Sequence, residues 1–120
     1  KMLRRKLAIA RASYRALYRE LRHAESFRAQ AIAGAAAAVA ALALKISTVE
    51  FLILILTVAA VLSTETLNTA IEEVCNHVTP EFHPQIGKIK DLASGASGIV
   101  GIAAIIVGCI IFIPHLVALL

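Results

Sequence analysis

The chain has 120 residues, 59% of them hydrophobic and only 17% charged, with a formal net charge of +4 and a mean hydropathy of +0.81. A soluble domain of this size has too little interior to hide such an apolar excess, so an ordinary water-soluble fold is excluded and a bilayer is the natural solvent. The basic residues are not interleaved with aromatics as a nucleic-acid surface would be, so no nucleic-acid partner is expected and the charge reports membrane topology.

In chain order, residues 1–26 read as an amphipathic surface helix. Leu3, Leu7, Ala10, Tyr14, Leu17 and Leu21 recur at helical spacing, while Arg4, Arg11, Arg15, Arg19 and Arg22 occupy the other faces. Attraction to anionic lipid is by itself a sufficient role for those cations. The segment lacks the short apolar core and cleavage site of a signal peptide, so insertion is expected to rely on retained spans. An alanine-rich run makes a first transmembrane helix over 29–47, lengthened by tilt or by its flanks. Residues 45–50 form the turn. A second helix covers 49–77, uninterrupted by Gly or Pro although polar residues appear from Ser63 onward. A loop holding Pro80, Pro84 and Gly87 leads to a third span over 91–113, ending at Pro114. The expectation is a single all-α integral-membrane domain over 1–120, with a surface helix and three transmembrane helices. Basic residues crowd 1–28 and recur at Lys88 and Lys90, which puts the surface helix and the 77–91 loop in the cytoplasm.

Cys75 and Cys109 read as free thiols, and His23, His77, His83 and His115 are too scattered for a zinc site, so any metal should sit on carboxylates. No GxxxxGK[ST] loop and no protein-kinase motif is present. Gly95, Gly98, Gly101 and Gly108 lie in an apolar helix, where small residues allow close helix approach.

The sharpest signal is a polar stripe on the second helix. Glu65, Asn68, Thr69, Glu72 and Asn76 follow steps of three and four and share one face. A carboxylate at membrane depth costs about 2.5 to 3.5 kcal/mol on insertion scales, so the stripe should face the bundle interior. Two carboxylates about two turns apart can divide proton abstraction from cation binding, although a polar seam joining copies of an oligomer has the same spacing. Glu81, Phe82, His83, Lys88, Lys90 and Asp91 add acceptors and cations beside the stripe, the mixture that a polyphosphate with its metal needs.

The motif Glu65-Thr-Leu-Asn68-Thr-Ala-Ile-Glu72, followed by Glu81-Phe-His83-Pro and Lys90-Asp91, resembles the prokaryotic diacylglycerol kinase and undecaprenol kinase family over nearly the whole chain. The resemblance implies a homotrimer with composite active sites at the cytoplasmic face of the bacterial inner membrane, using MgATP to phosphorylate a membrane lipid. It implies Glu65 as catalytic base with Asn68 as its neighbour, and Glu72 as metal ligand. Arg5, Glu72, Glu81, Phe82, His83, Lys90 and Asp91 fall at nucleotide-contacting positions. Phe27, Arg28, Glu65 and Ser94 fall at the lipid. Ala24 stands where many members carry a second metal-binding glutamate; Glu25 is adjacent but about 100° away on a continuous helix. Asn76 replaces the usual Asp, and Ala12 a Tyr of some members.

Phe82-His83-Pro84, the Lys90 to Gly95 segment and Ile111-Phe112-Ile113-Pro114 resemble the undecaprenol branch more than the diacylglycerol branch. Both lipids present a primary hydroxyl on apolar chains, so a bilayer-open groove suits either. Two other classes compete: a non-catalytic oligomeric membrane protein, and a small transporter whose embedded glutamates carry protons. Against the first, Glu65, Asn68, Glu72, Lys90 and Asp91 are all present, and the second does not require the Lys90-Asp91 pair or the loop acids.

Overall fold

The structure, a computed structural model, describes residues 1–79, 81 and 83–120. These form four helices in chain order: α1 (Met2–His23), α2 (Glu25–Ala43), α3 (Thr48–Val78) and α4 (Pro84–Ala118). The last three are each long and apolar enough to cross a membrane. The chain is thus an all-helical, multi-pass membrane protein.

Its boundaries follow local chemistry. Ala24 is extended (φ −93°, ψ 107°) and breaks the helix between α1 and α2, with its N–H bonded to Glu20 O and its own carbonyl accepting from Arg28 N. The surface helix therefore stops at His23 rather than running to 26, and α2 starts at Glu25 instead of 29. At the other end of α2, Lys45 N donates to Leu42 O and Ile46 N to Ala41 O. That is a Schellman stop, with Lys45 in the left-handed position (φ 53°) usually taken by glycine. Ile46 then packs against the cluster of Ala41, Leu54 and Ile111. α3 opens with a capping box in which Ser47 Oγ accepts from Glu50 N and Glu50 Oε1 from Ser47 N, each at 3.1 Å. Within the apolar stretch, Thr57, Thr64 and Thr66 return their hydroxyls to the carbonyls four residues back, which keeps those groups satisfied in lipid.

α4 departs most from the sequence reading. It begins at Pro84, not 91, because Pro suits the first helical turn and His83 caps it, Nδ1 accepting from Gln85 N at 3.2 Å. Gly87, Lys88 and Lys90 are therefore helical. At the far end the helix runs through Pro114 to Ala118. A proline there removes one backbone hydrogen bond and crowds the carbonyl four residues back, and the turn beyond it is tied down by His115 Nε2, 3.2 Å from Glu50 Oε1.

α3 packs along α4, α2 along α3, and α1 against α2. The radius of gyration is 17.8 Å, against about 14 Å for a compact chain of this length. Among the described residues only Phe27, Ala41, Leu54, Cys75, Ala93 and Ile111 are buried. The protomer is a thin slab whose broad faces are apolar and uncovered by its own chain. Within it, a Cβ at Gly95, Gly98, Gly101 or Gly108 would meet nothing within 4 Å, so these glycines face open space in the protomer. Gly34 does not: a Cβ there would sit 2.6 Å from Val58 Cγ1 on α3.

Candidate active site

The polar residues gather at one end of the slab, where α1 meets α2, α3 turns polar and α4 begins. Ser26, in the first turn of α2, donates its hydroxyl to Glu65 Oε1 at 3.1 Å. This contact places Glu65 level with the corner at Ala24. From Glu65, α3 continues for thirteen residues to Val78, about 20 Å at 1.5 Å per residue. The α3–α4 hairpin therefore projects well past the start of α2, and the stripe divides in two. Glu65, Asn68 and Thr69 are half-buried, while Glu72 and Asn76 are exposed rather than turned inward, because α2 does not reach beside them.

On the projecting part, Lys90 Nζ donates to Asn76 Oδ1 at 2.6 Å and joins α4 to α3. Asp91 and Ser94 follow on exposed turns of α4, and Asp91 lines a shallow groove with Lys88, Leu92 and Gly95. Glu81 is exposed in the short connection. His83 commits Nδ1 to its cap and keeps Nε2 for other partners. Phe82 lies outside the described residues. Arg5 is exposed near the start of α1, at the opposite end of that helix from the Ala24 corner. Arg28 is anchored locally, its Nη1 donating to Arg22 O at 2.9 Å across the α1–α2 break, and Phe27 is buried beside it.

Glu25 is exposed in the first turn of α2. The offset of about 100° between Ala24 and Glu25 presumes one continuous helix, and the break at Ala24 removes that premise. Among the described residues no three His, Cys, Asp or Glu side chains converge. Magnesium asks for only one or two carboxylates, since it keeps water and takes phosphate oxygens. Glu72 offers one that is exposed and engaged by no described side chain, so the donor set fits such an ion carried in with a nucleotide.

Two residues of the site were not singled out from sequence. Ser26 contacts Glu65 from 39 residues away. Gln30, one turn further along α2, leaves its buried Oε1 without a partner, as does Asn68 its Oδ1. Gln30 also lines an apolar recess of about 260 Å³, together with Gly34, Thr57, Val61, Gly108 and Phe112 among others. The cavity starts one turn below Glu65 and runs into the membrane-spanning part. The arrangement thus joins a half-buried carboxylate at the level of the helix corner, an apolar recess beneath it and a mixed-charge end above it.

Comparison with known proteins identifies the family. The family model of the prokaryotic diacylglycerol kinase matches residues 11–112. The undecaprenol kinase of Bacillus subtilis is 31% identical over 102 residues, 85% of this chain and 83% of that protein. The diacylglycerol kinase of Escherichia coli strain K12 is 36% identical over 90 residues, 75% of this chain and 74% of its own length. That of Synechocystis is 35% identical over 96 residues, 79% of this chain and 55% of that protein. The chain belongs to the prokaryotic diacylglycerol kinase family and is an ATP-using lipid kinase of the membrane.

Proposed function

We propose that this kinase transfers the γ-phosphate of MgATP to the primary hydroxyl of a polyprenol such as undecaprenol, at the cytoplasmic face of the bacterial inner membrane. The observation that carries the reading is the Ser26–Glu65 contact, which sets a carboxylate level with the end of the surface helix. An amphipathic helix lies in the interfacial plane, and a lipid hydroxyl sits in that same plane. The hydroxyl thus meets Glu65 while its apolar chain has the recess from Gln30 to Phe112 beside it.

Glu65 takes the hydroxyl proton as the oxygen attacks phosphorus, a role that contributes about 10² to 10⁴ in rate. Asn68, one turn along the same face, directs its amide toward the reacting groups. Glu72, about 10 Å further out along α3, would hold the magnesium ion, which would offset phosphate charge. Glu25 stands as a second carboxylate for that ion. Lys90 and Asp91, with Glu81, Phe82, His83 and Arg5, hold the nucleotide, and Phe27, Arg28 and Ser94 border the lipid. The uncovered apolar faces of the protomer and the open glycines of α4 support a homotrimer in which neighbouring copies complete each site.

The choice of lipid rests on the segments around His83, Ser94 and Pro114 and on the kinship to the Bacillus undecaprenol kinase. The kinship to the Escherichia diacylglycerol kinase supports diacylglycerol as the second reading. Purified protein in lipid, given labelled ATP with undecaprenol or diacylglycerol separately, distinguishes them. Faster transfer to undecaprenol is expected. Faster transfer to diacylglycerol overturns the substrate, and transfer to neither overturns the reading of the site.

A further inference from the structure

A serine in the first turn of a helix ordinarily bonds the backbone close to it in sequence. Ser26 does not. Its hydroxyl crosses to Glu65 Oε1 on the neighbouring helix, and among the described residues this is the one side-chain hydrogen bond between α2 and α3. Ser26 is itself exposed, so burial gives no reason for the contact. Gln30 and Asn68, each about one turn away along its own helix, leave an amide oxygen without a partner and do not bond to Glu65. Ser26 is the one described side chain that donates to the Glu65 carboxylate.

We infer that Ser26 is a positioning residue for phosphoryl transfer, holding the Glu65 carboxylate by one oxygen so that the other meets the lipid hydroxyl. The inference rests on the reading of Glu65 as base. In the step, the lipid O–H proton passes to Glu65 Oε2 while the lipid oxygen bonds to the γ-phosphorus. The bond from that phosphorus to the bridging oxygen breaks, and its electron pair leaves with ADP. A glutamate side chain has several torsions, the last of them broad, and a free carboxylate would sweep an arc at the end of its stem. The Ser26 hydroxyl removes that freedom on one side, and α2 carries the serine at a height fixed by the Ala24 corner.

The test compares Ser26→Ala, Ser26→Thr, Glu65→Gln and the double variant Ser26→Ala/Glu65→Gln in the same bilayers, with kcat and both KM values measured. Misplacing a reacting group slows chemistry without touching remote binding, so Ser26→Ala should lower kcat roughly tenfold and leave KM for ATP and for lipid within about twofold. Ser26→Thr keeps the hydroxyl and should recover kcat to within about threefold of the parent. The double variant should be no slower than Glu65→Gln alone, because a positioning residue has nothing left to position.

Parental kcat in Ser26→Ala, alongside a slow Glu65→Gln, overturns the role of Ser26 and leaves the base in place. An unrescued Ser26→Thr, or losses that multiply in the double variant, shows that Ser26 acts through the fold and overturns the proposal equally. Parental kcat in Glu65→Gln removes the base reading, and the proposal with it.

Discussion

Lys90 Nζ lies 2.6 Å from Asn76 Oδ1, so the cation carried by α4 is held by a neutral amide of α3. An amide orients an ammonium without cancelling its charge, which remains available to a phosphate. Asn76→Asp would replace that acceptor with a carboxylate and form an ion pair. An exposed pair contributes at most about 1 kcal/mol, so ATP affinity should weaken by no more than about fivefold, and the loss should shrink at high salt. Calorimetric titration in two salt concentrations checks this. Tighter binding would mean that an acid at 76 serves the metal rather than the lysine.

Glu65 and Glu72 should fail differently as glutamines. Glu65 is half-buried at the level of the helix corner and Glu72 is exposed further out. Glu65→Gln should lower kcat by about 10² or more with MgATP affinity nearly intact. Glu72→Gln should weaken MgATP binding as well as turnover. Nucleotide titration and lipid phosphorylation in the same membranes separate the two, and the reverse pattern would exchange their roles.

Ala24 is the extended residue between α1 and α2, and a side chain there is not bound to helical geometry. Ala24→Glu should add a carboxylate and lower the magnesium concentration for half-maximal rate. Titrating the rate against magnesium reads this directly. An unchanged or raised requirement would show that another group, with Glu25 the nearest, already supplies the ligand.

Gln85 is exposed in the first turn of α4, and the proposed topology has that turn in the cytoplasm. A cysteine at 85 should stay unlabelled in intact cells by an impermeant thiol reagent and react once the membrane is opened. The native Cys75 is buried and Cys109 lies within the apolar part of α4, so neither should obscure the reading. Labelling from outside would invert the topology.

Gly34→Ala should destabilise the protein by about 1 to 3 kcal/mol, since the new Cβ would sit 2.6 Å from Val58 Cγ1. Gly34→Ala and the parent can be compared by thermal unfolding in one detergent. Equal stability would mean that α2 and α3 separate freely at this point.

The helices were legible because apolar residues recur at a helical period over long stretches, and membrane-crossing segments have few alternatives to helix. Their ends were less so, for a physical reason visible at both prolines of α4. Apolar composition marks where lipid begins at about Asp91, whereas the helix begins at Pro84, where a favourable first turn and the His83 cap permit it. Pro114 looks like a stop, yet the turn beyond it is held by a contact to Glu50, 65 residues earlier in the chain. Of the candidate site, the part that repeats along one helix, as Glu65, Asn68 and Glu72 do, can be read from the sequence. Ser26 and Gln30 cannot, since a lone polar side chain acquires meaning only from the helix packed against it.

The stretch from Ala24 to Lys45 acts as a caliper. α2 has 19 residues between an extended break and a Schellman stop, a rigid length of about 28 Å. α3 and α4 run on into polar turns beyond their apolar stretches. α2 instead ends at a fixed break and a fixed stop, and it carries the hydroxyl that meets Glu65. In a thicker membrane the corner at Ala24 would be drawn below the headgroups together with Glu65, and in a thinner one both would be lifted into water. The depth at which this carboxylate meets a lipid headgroup is thus set jointly by the length of one helix and the thickness of the membrane around it.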